Sequence, residues 1–224
     1  MSMKYVSILG DSVSTFEGFN PEGYEVFYEG TSIRNNGLRD YRDTWWAQVI
    51  DGIDGVLCAN ASYSGSRVTG NVFPAATSEE RITALKCNEV TPDLILIYIG
   101  YNDWGNGIRV KRSGMFERKG MLVFADAYRY MIKRIKEKYP RAVIVCGSLM
   151  QTKVKGKNNW SFPKKYAGVD FDDYNSAIKA ICKKEKCKLA DLNSLNIRYE
   201  TLDGSHPTIE GHRTLAEAWL KFLV

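Results

Sequence analysis

The chain has 224 residues, of which 44% are hydrophobic and 25% charged, and this composition excludes disordered, collagen-like and coiled-coil proteins. The formal net charge is +5, and residues 151–168 alone contain five lysines, which equal this whole positive excess. Positive charge concentrated in one segment favours a basic loop or rim over a nucleic-acid groove. No stretch approaches the roughly 18–20 apolar residues of a membrane-spanning helix, and the length suits a single domain over residues 1–224.

Apolar runs and helical patterns alternate along the chain. The runs that predict strands are residues 4–9, 55–60, 93–99, 142–148 and 188–192. Five segments have helical spacing. The first begins near Thr44, with a possible N-cap at Asp43 or Thr44. The others are 78–87, Phe124 to before Pro140, 171–185, and about Ile209 to Phe222. Strands without polar alternation are typical of a parallel sheet covered by helices. The order therefore predicts a three-layer α/β/α sandwich with a five-stranded parallel sheet.

Three predicted connections, at roughly 13–43, 101–121 and 151–169, are longer than this architecture requires. Loops beyond ~12–15 residues in a compact domain are usually functional or disordered. The first two begin where a predicted strand ends, and open α/β sheets bind ligands along that edge. We therefore expect the functional site there.

Four short motifs follow predicted strands or precede the last helix. They are Gly10-Asp11-Ser12, Gly65, Gly100-Tyr101-Asn102-Asp103 and Asp203-Gly204-Ser205-His206. Each of them alone can be an ordinary turn, because Gly, Asn, Asp and Ser are common turn residues.

The chain has two histidines, His206 and His212. Asp203 lies three residues before His206, and an acid so placed can accept a hydrogen bond from the imidazole and fix its tautomer. His212 lies inside the predicted last helix, where packing or capping is the expected role. We therefore predict His206 as the base of any catalytic site.

Together, in this order, the four motifs resemble the conserved blocks of the SGNH hydrolases, the GDSL family of esterases and lipases. The resemblance extends from residue 10 to residue 206 and implies a flavodoxin-like fold. Val13 stands where the family motif has Leu, and the short members of the family lack the long segment 14–43.

The resemblance implies which residue has each role in a serine hydrolase. Ser12 would be the nucleophile, His206 its base and Asp203 the partner of the imidazole. The N–H groups of Ser12 and Gly65 and the side chain of Asn102 would form the oxyanion hole. The ordinary α/β-hydrolase signature G-x-S-x-G does not occur in the chain.

Aromatic residues are frequent in the long connections, where they either pack the loops or form a platform for a sugar. We predict substrate contacts from Asp11, Tyr101, Trp104 and Trp160. The lysines of 151–168 fit a solvated loop and also fit attraction of an anionic substrate.

The leading hypothesis is a serine esterase for short-chain acyl esters, acetyl foremost, on small molecules or carbohydrates. One alternative is a lipase or thioesterase of the same family with a longer acyl pocket. Another is a flavodoxin-like protein whose turn Ser12–Thr15 binds a phosphate of FMN. That alternative leaves Asp203 and His206 unexplained, and no glycine between Ser12 and Glu17 opens the turn to a phosphate.

The chain has five cysteines, none in a C-x-x-C pair, and two histidines, so the sequence gives no support for a metal site. No cofactor is expected. Cys58 and Cys146 lie in strand-like runs, and free buried thiols fit a reducing compartment. The residues before Gly10 are too few for a secretory signal, so we expect a cytoplasmic protein. No sequence feature fixes an oligomeric state.

Overall fold

The computed structural model describes residues 4–111 and 121–224, so residues 112–120 of the predicted connection 101–121 lie outside the described residues. The strands are β1 (Lys4–Gly10), β2 (Gly55–Asn60), β3 (Leu94–Tyr98), β4 (Val143–Gly147), β5 (Thr152–Val154), β6 (Lys165–Tyr166), β7 (Val169–Asp170), β8 (Lys188–Ala190) and β9 (Tyr199–Thr201). The helices are α1 (Gly30–Asn35), α2 (Trp45–Gly52), α3 (Glu79–Thr83), α4 (Tyr101–Gly105), α5 (Phe124–Lys138), α6 (Phe171–Glu185) and α7 (Ile209–Leu223).

The main sheet has the order β2-β1-β3-β4-β8, and every neighbouring pair is parallel. Its strands are those that the sequence predicts, and helices cover both faces. The three-layer α/β/α fold and its five-stranded parallel sheet are therefore confirmed. All residues of β3 are buried, which explains why that strand reads as a continuous apolar run.

The helices form where an apolar stripe and a capping residue coincide. The side chain of Thr44 accepts a hydrogen bond from the Ala47 N–H at 3.3 Å and caps α2, and Thr208 caps α7 in the same way through Gly211 at 3.2 Å. Helices α2 and α7 pack together, with the rings of Trp45 and Trp219 stacked at 5.3 Å. Helices α5 and α6 pack together as well.

The observed helix α3 is shorter than the predicted helix over 78–87. The hydroxyl of Tyr139 donates to the carbonyls of Ile82 and Thr83, at 2.9 and 3.1 Å, and so satisfies the end of α3. Beyond that point Cys87 and Val90 form an isolated antiparallel bridge. The chain therefore leaves the helix before its apolar spacing ends.

The long connections contain short elements of their own. The first includes α1, the second begins with α4, and the third contains β5 and the hairpin of β6 and β7. Strand β5 pairs in parallel with β9, about 45 residues away, and no local sequence pattern indicates such a pairing. Within residues 4–111 and 121–224, no helix is both long enough and apolar enough to cross a membrane.

Candidate active site

Ser12 lies at the carboxyl end of β1, where the chain leaves the sheet. Gly10 ends the strand, and a Cβ on Gly10 would lie only 2.5 Å from the Ser14 hydroxyl, so a larger residue would displace the turn. The next residues form a single 3-10 turn, Ser12–Ser14, and the Asp11 carboxylate accepts from the Val13 N–H at 3.1 Å. The fold thus presents the Ser12 side chain at the ligand-binding edge of the sheet.

The loop before α7 brings His206 to Ser12. The His206 Nε2 atom lies 2.9 Å from Ser12 Oγ, and Nδ1 lies 2.6 Å from Asp203 Oδ2. The other oxygen of Asp203 accepts the backbone N–H groups of Ser205 and His206, both at 2.9 Å. One carboxylate therefore fixes both the turn and the imidazole.

The carboxylate of Asp203 is held in its ionised form. Burial alone would raise the pKa of Asp203, but hydrogen bonds from the ring and backbone of His206 and from the Ser205 N–H outweigh it. The pKa of Asp203 therefore lies well below its ordinary value. An ionised Asp203 requires the proton of a neutral His206 to reside on Nδ1, which leaves the Nε2 lone pair facing Ser12.

Neighbouring elements hold the 203–206 loop from several sides. Thr152 of β5 donates to the Gly204 carbonyl at 2.7 Å, and Thr201 of β9 accepts the Gly204 N–H at 3.1 Å. The hydroxyl of Tyr199 donates to the Ser205 carbonyl at 3.1 Å. The small β5–β9 sheet is therefore a support for the histidine loop.

The long segment 14–43 also reaches the histidine. The ring of Phe27 stacks on the imidazole of His206, with centroids 3.4 Å apart and planes at 6°. Phe27 is held by its N–H, which donates to Thr15 Oγ1 at 2.9 Å, and the neighbouring Tyr28 donates to the Pro207 carbonyl at 2.7 Å. No sequence pattern distinguishes a ring such as Phe27, which stacks on a site residue, from a ring that only packs a loop.

The structure brings Asn102 and the Gly65 loop together. Asn102 lies in the first turn of α4, and its side-chain amide donates to the Ser66 carbonyl at 2.9 Å. The neighbouring Asp103 accepts the N–H groups of Val68 and Thr69, at 2.8 and 3.0 Å. An amide nitrogen has two hydrogens, and this hydrogen bond uses one of them.

Gly65 has a positive φ of 74° and is exposed, and a Cβ there would meet nothing within 4 Å. The glycine is therefore required by its backbone conformation and not by crowding. The preceding Ser64 N–H donates to the Glu25 carbonyl at 2.9 Å, so segment 14–43 fixes this loop too.

The predicted substrate contacts divide into two groups. Asp11, Tyr101 and Trp104 are buried, and their contact with substrate stays a prediction. Tyr101 packs on Phe171, and Trp104 stacks on the ring of Phe162. Both rings therefore contribute to the packing of the core.

Trp160 is different because it is half-buried and adjoins the histidine loop. A Cβ on Gly204 would lie 3.4 Å from the Trp160 ring. Of the four residues expected to contact substrate, Trp160 is the most exposed.

Asp11 is a buried carboxyl next to Ser12. Its Oδ2 atom has no hydrogen-bond partner among the described residues, and burial raises its pKa to about 6. The Val13 N–H lowers that pKa, as does the positive charge of Arg81.

His212 lies in the core, away from these groups. Its Nδ1 accepts the Trp45 N–H at 3.1 Å, at the start of α2, and burial lowers its pKa to about 3. It is therefore a neutral residue that satisfies a helix N-terminus. Among the described residues, no group of three or more His, Cys, Asp or Glu side chains could hold a metal ion.

Comparison with known proteins agrees with this geometry. Residues 4–223 match the model of the family described as GDSL-like lipase/acylhydrolase. A comparison with the sequences of curated proteins gave no match.

Several solved structures have a similar fold. A Bacteroides ovatus protein described as a GDSL-like lipase is 23% identical, with a TM-score of 0.70 over 100% of this chain and 99% of its own. A family two carbohydrate esterase from Clostridium thermocellum is 17% identical, with a TM-score of 0.57 over 97% of this chain and 62% of its own. A carbohydrate acetylesterase family member from Sinorhizobium meliloti is 17% identical, with a TM-score of 0.63 over 99% and 97%. The family match spans nearly the whole chain, and the protein therefore belongs to the GDSL-like lipase/acylhydrolase family.

Proposed function

We propose that this protein is a serine esterase that hydrolyses short-chain acyl esters, acetyl foremost, including those on carbohydrates. The observation that carries the proposal is the continuous hydrogen-bonded chain from Ser12 Oγ through the two nitrogens of His206 to Asp203, at 2.9 and 2.6 Å. A serine, an imidazole and an ionised carboxylate in this order are the groups that activate a hydroxyl for attack on an acyl carbon.

The reaction proceeds in two halves. Ser12 Oγ forms a bond to the acyl carbon while its proton passes to His206 Nε2, and Asp203 stabilises the imidazolium. The tetrahedral intermediate collapses when His206 returns that proton to the leaving alkoxide, which leaves an acyl-enzyme. Water then attacks the acyl carbon by the same route and releases the acid, which restores Ser12.

The negative charge that develops on the carbonyl oxygen requires donors that are fixed before the reaction. We assign this role to the N–H groups of Ser12 and Gly65 and to the free amide hydrogen of Asn102. The hydrogen bond from Asn102 to the Ser66 carbonyl, at 2.9 Å, supports the assignment because it holds the amide beside the Gly65 loop.

Aromatic rings beside the loops of the proposed site support a carbohydrate substrate. Tyr24, Tyr63 and Phe73 form a cluster with centroids 5.1–5.5 Å apart, and Phe73 is 37% exposed. Tyr63 lies two residues before Gly65. Trp160 lies on the Asp203 side. Sugar rings offer an apolar face to aromatic side chains, and binding energy from such a remote group can assist reaction at the acyl carbon. Two proteins of similar fold are described as carbohydrate esterases.

The test is a series of p-nitrophenyl esters from acetyl to octanoyl, together with acetylated mono- and oligosaccharides. We expect kcat/KM to be highest for acetyl, acetylated sugars to be hydrolysed, and Ser12→Ala to remove all of this activity. A steady rise of kcat/KM toward octanoyl would establish the lipase or thioesterase alternative. Full activity in Ser12→Ala would refute the proposed nucleophile.

A further inference from the structure

A fully buried arginine lies behind the Ser12 turn. Arg81 of α3 is 0% exposed, and its guanidinium donates to three backbone carbonyls. Nη2 reaches Gly10 at 2.7 Å, Nε reaches Ala61 at 2.7 Å and Nη1 reaches Pro74 at 2.6 Å. Among the described residues, no carboxylate oxygen lies within ion-pair distance of it. A buried cation without a directly paired anion is costly, so its three short hydrogen bonds require an explanation.

The three carbonyls belong to the segments that carry the proposed site. Gly10 is two residues before Ser12, and Ala61 is four residues before Gly65. The Gly10 carbonyl also accepts the Tyr63 N–H at 3.3 Å. Arg81 therefore connects the end of β1 to the loop after β2, the two segments whose N–H groups would bind the oxyanion.

The geometry of the connection is specific to arginine. A guanidinium is planar and presents its donors in a fixed fork, whereas a lysine ammonium is a compact charge that cannot reach three separated carbonyls in one plane. The same positive charge acts on the buried carboxyl of Asp11, and the Arg81 guanidinium lies 5.9 Å from the centre of the Tyr63 ring.

We propose that Arg81 is a positioning residue that sets the separation of the Ser12 turn and the Gly65 loop, so that their N–H groups converge on the oxyanion. This inference rests on the proposed esterase function. Because the oxyanion exists only in the transition state and the tetrahedral intermediate, a change at Arg81 affects kcat more than KM.

The test compares Arg81→Lys and Arg81→Gln with Tyr139→Phe. Tyr139 holds the end of the same short helix through the carbonyls of Ile82 and Thr83 but does not contact Gly10 or Ala61 in the described hydrogen bonds. Tyr139→Phe therefore reports the effect of loosening α3 alone. Thermal unfolding establishes which variants fold, and kinetics are normalised to active sites titrated with a fluorophosphonate.

We expect each folded Arg81 variant to lose roughly 10- to 100-fold in kcat on an acetyl ester, with KM changed less than about threefold. A trifluoromethyl ketone, whose adduct with Ser12 carries an oxyanion, should bind these variants more weakly by a similar factor. Tyr139→Phe should keep its kcat and its affinity for the ketone while its melting temperature falls.

Two results would overturn the proposal. One is wild-type kcat and ketone affinity in a folded Arg81→Lys or Arg81→Gln variant, and the other is an equal loss of kcat in Tyr139→Phe. Failure of the esterase proposal itself looks different, because the wild-type protein would then neither hydrolyse the ester nor bind the ketone.

Discussion

The substitution Asp203→Asn tests the proposed acid–base chain with little change of shape. In the structure, Oδ1 of Asp203 accepts two backbone N–H groups, those of Ser205 and His206. An asparagine must therefore keep its carbonyl oxygen at that position, which places its NH₂ group where Oδ2 faces His206 Nδ1. The NH₂ group donates to Nδ1, so the imidazole proton moves to Nε2. An Nε2–H facing Ser12 cannot accept the serine proton.

The expected loss of kcat is about 10⁴-fold, because the wrong imidazole tautomer lowers the kcat of a serine protease by about that factor. At about 1.36 kcal/mol per tenfold change in rate, it corresponds to roughly 5.4 kcal/mol of lost transition-state stabilisation. Asp203→Ala allows either tautomer. We therefore expect Asp203→Asn to be no faster than Asp203→Ala, although its shape is closer to the native side chain.

The assay is steady-state hydrolysis of an acetyl ester near neutral pH by the wild type and both variants. Circular dichroism and thermal unfolding serve as the control for folding. A kcat for Asp203→Asn within tenfold of the wild type would refute the proposed role of the carboxylate. An Asp203→Asn variant much faster than Asp203→Ala would refute the tautomer argument.

Three further outcomes follow from the same geometry. Asn102→Ala should lower kcat by roughly 10²–10³-fold with a smaller change in KM, and steady-state kinetics with an unchanged kcat would return Asn102 to a structural role. His206→Ala should be nearly inactive in the same assay. His212→Gln should keep its kcat and unfold at a lower temperature. The reverse ranking of the two activities would identify His212 as the base. Because burial lowers the pKa of His212 to about 3, below the ~6.5 of an unfolded histidine, only the unfolded state gains that proton between these pH values. Between pH 6 and 4 the wild type should lose about 1.4 kcal/mol of unfolding free energy per pH unit more than His212→Gln, and parallel curves from denaturant titrations would contradict this.

The main sheet could be predicted from the sequence because its inner strands β1, β3 and β4 are largely buried. Continuous apolar runs such as Leu94–Tyr98 have a strong local signal, and the alternation with helices then restricts the topology. The pairing of Thr152–Val154 with Tyr199–Thr201 has no such signal. Those strands are short, and their pairing depends on contacts distant in sequence.

The structure brings together the candidate-site residues that lie in sequence motifs. The residues that support them, such as Arg81 and Phe27, lie in no motif. Arg81 lies in the sequence Glu-Glu-Arg-Ile-Thr, which is typical of an exposed helix, and arginine is rarely fully buried. Its partners are backbone carbonyls, which any residue can supply. Phe27 stacks on His206 across a separation of 179 residues, a contact that only the folded chain reveals.

The aromatic residues show the limit of composition as a guide to a binding surface. Trp104 follows a strand at the ligand-binding edge, where we predict a substrate contact. Its ring packs against those of Phe162 and Phe171, and its indole N–H donates to the Val169 carbonyl at 3.3 Å. The segments that cover it come from the long connection 151–169 and from α6. Sequence position alone could not show that they fold over this ring.

Labelling with a fluorophosphonate followed by peptide mass spectrometry tests the central claim that Ser12 is the nucleophile. A fluorophosphonate reacts with a serine whose proton is removed by a neighbouring base, forming an O–P bond and releasing fluoride. If Ser12 is the nucleophile, we expect one adduct per chain on Ser12, loss of esterase activity in proportion to labelling, and no adduct in Ser12→Ala. An adduct on another serine, or an unlabelled protein that nevertheless hydrolyses acetyl esters, would contradict that role of Ser12.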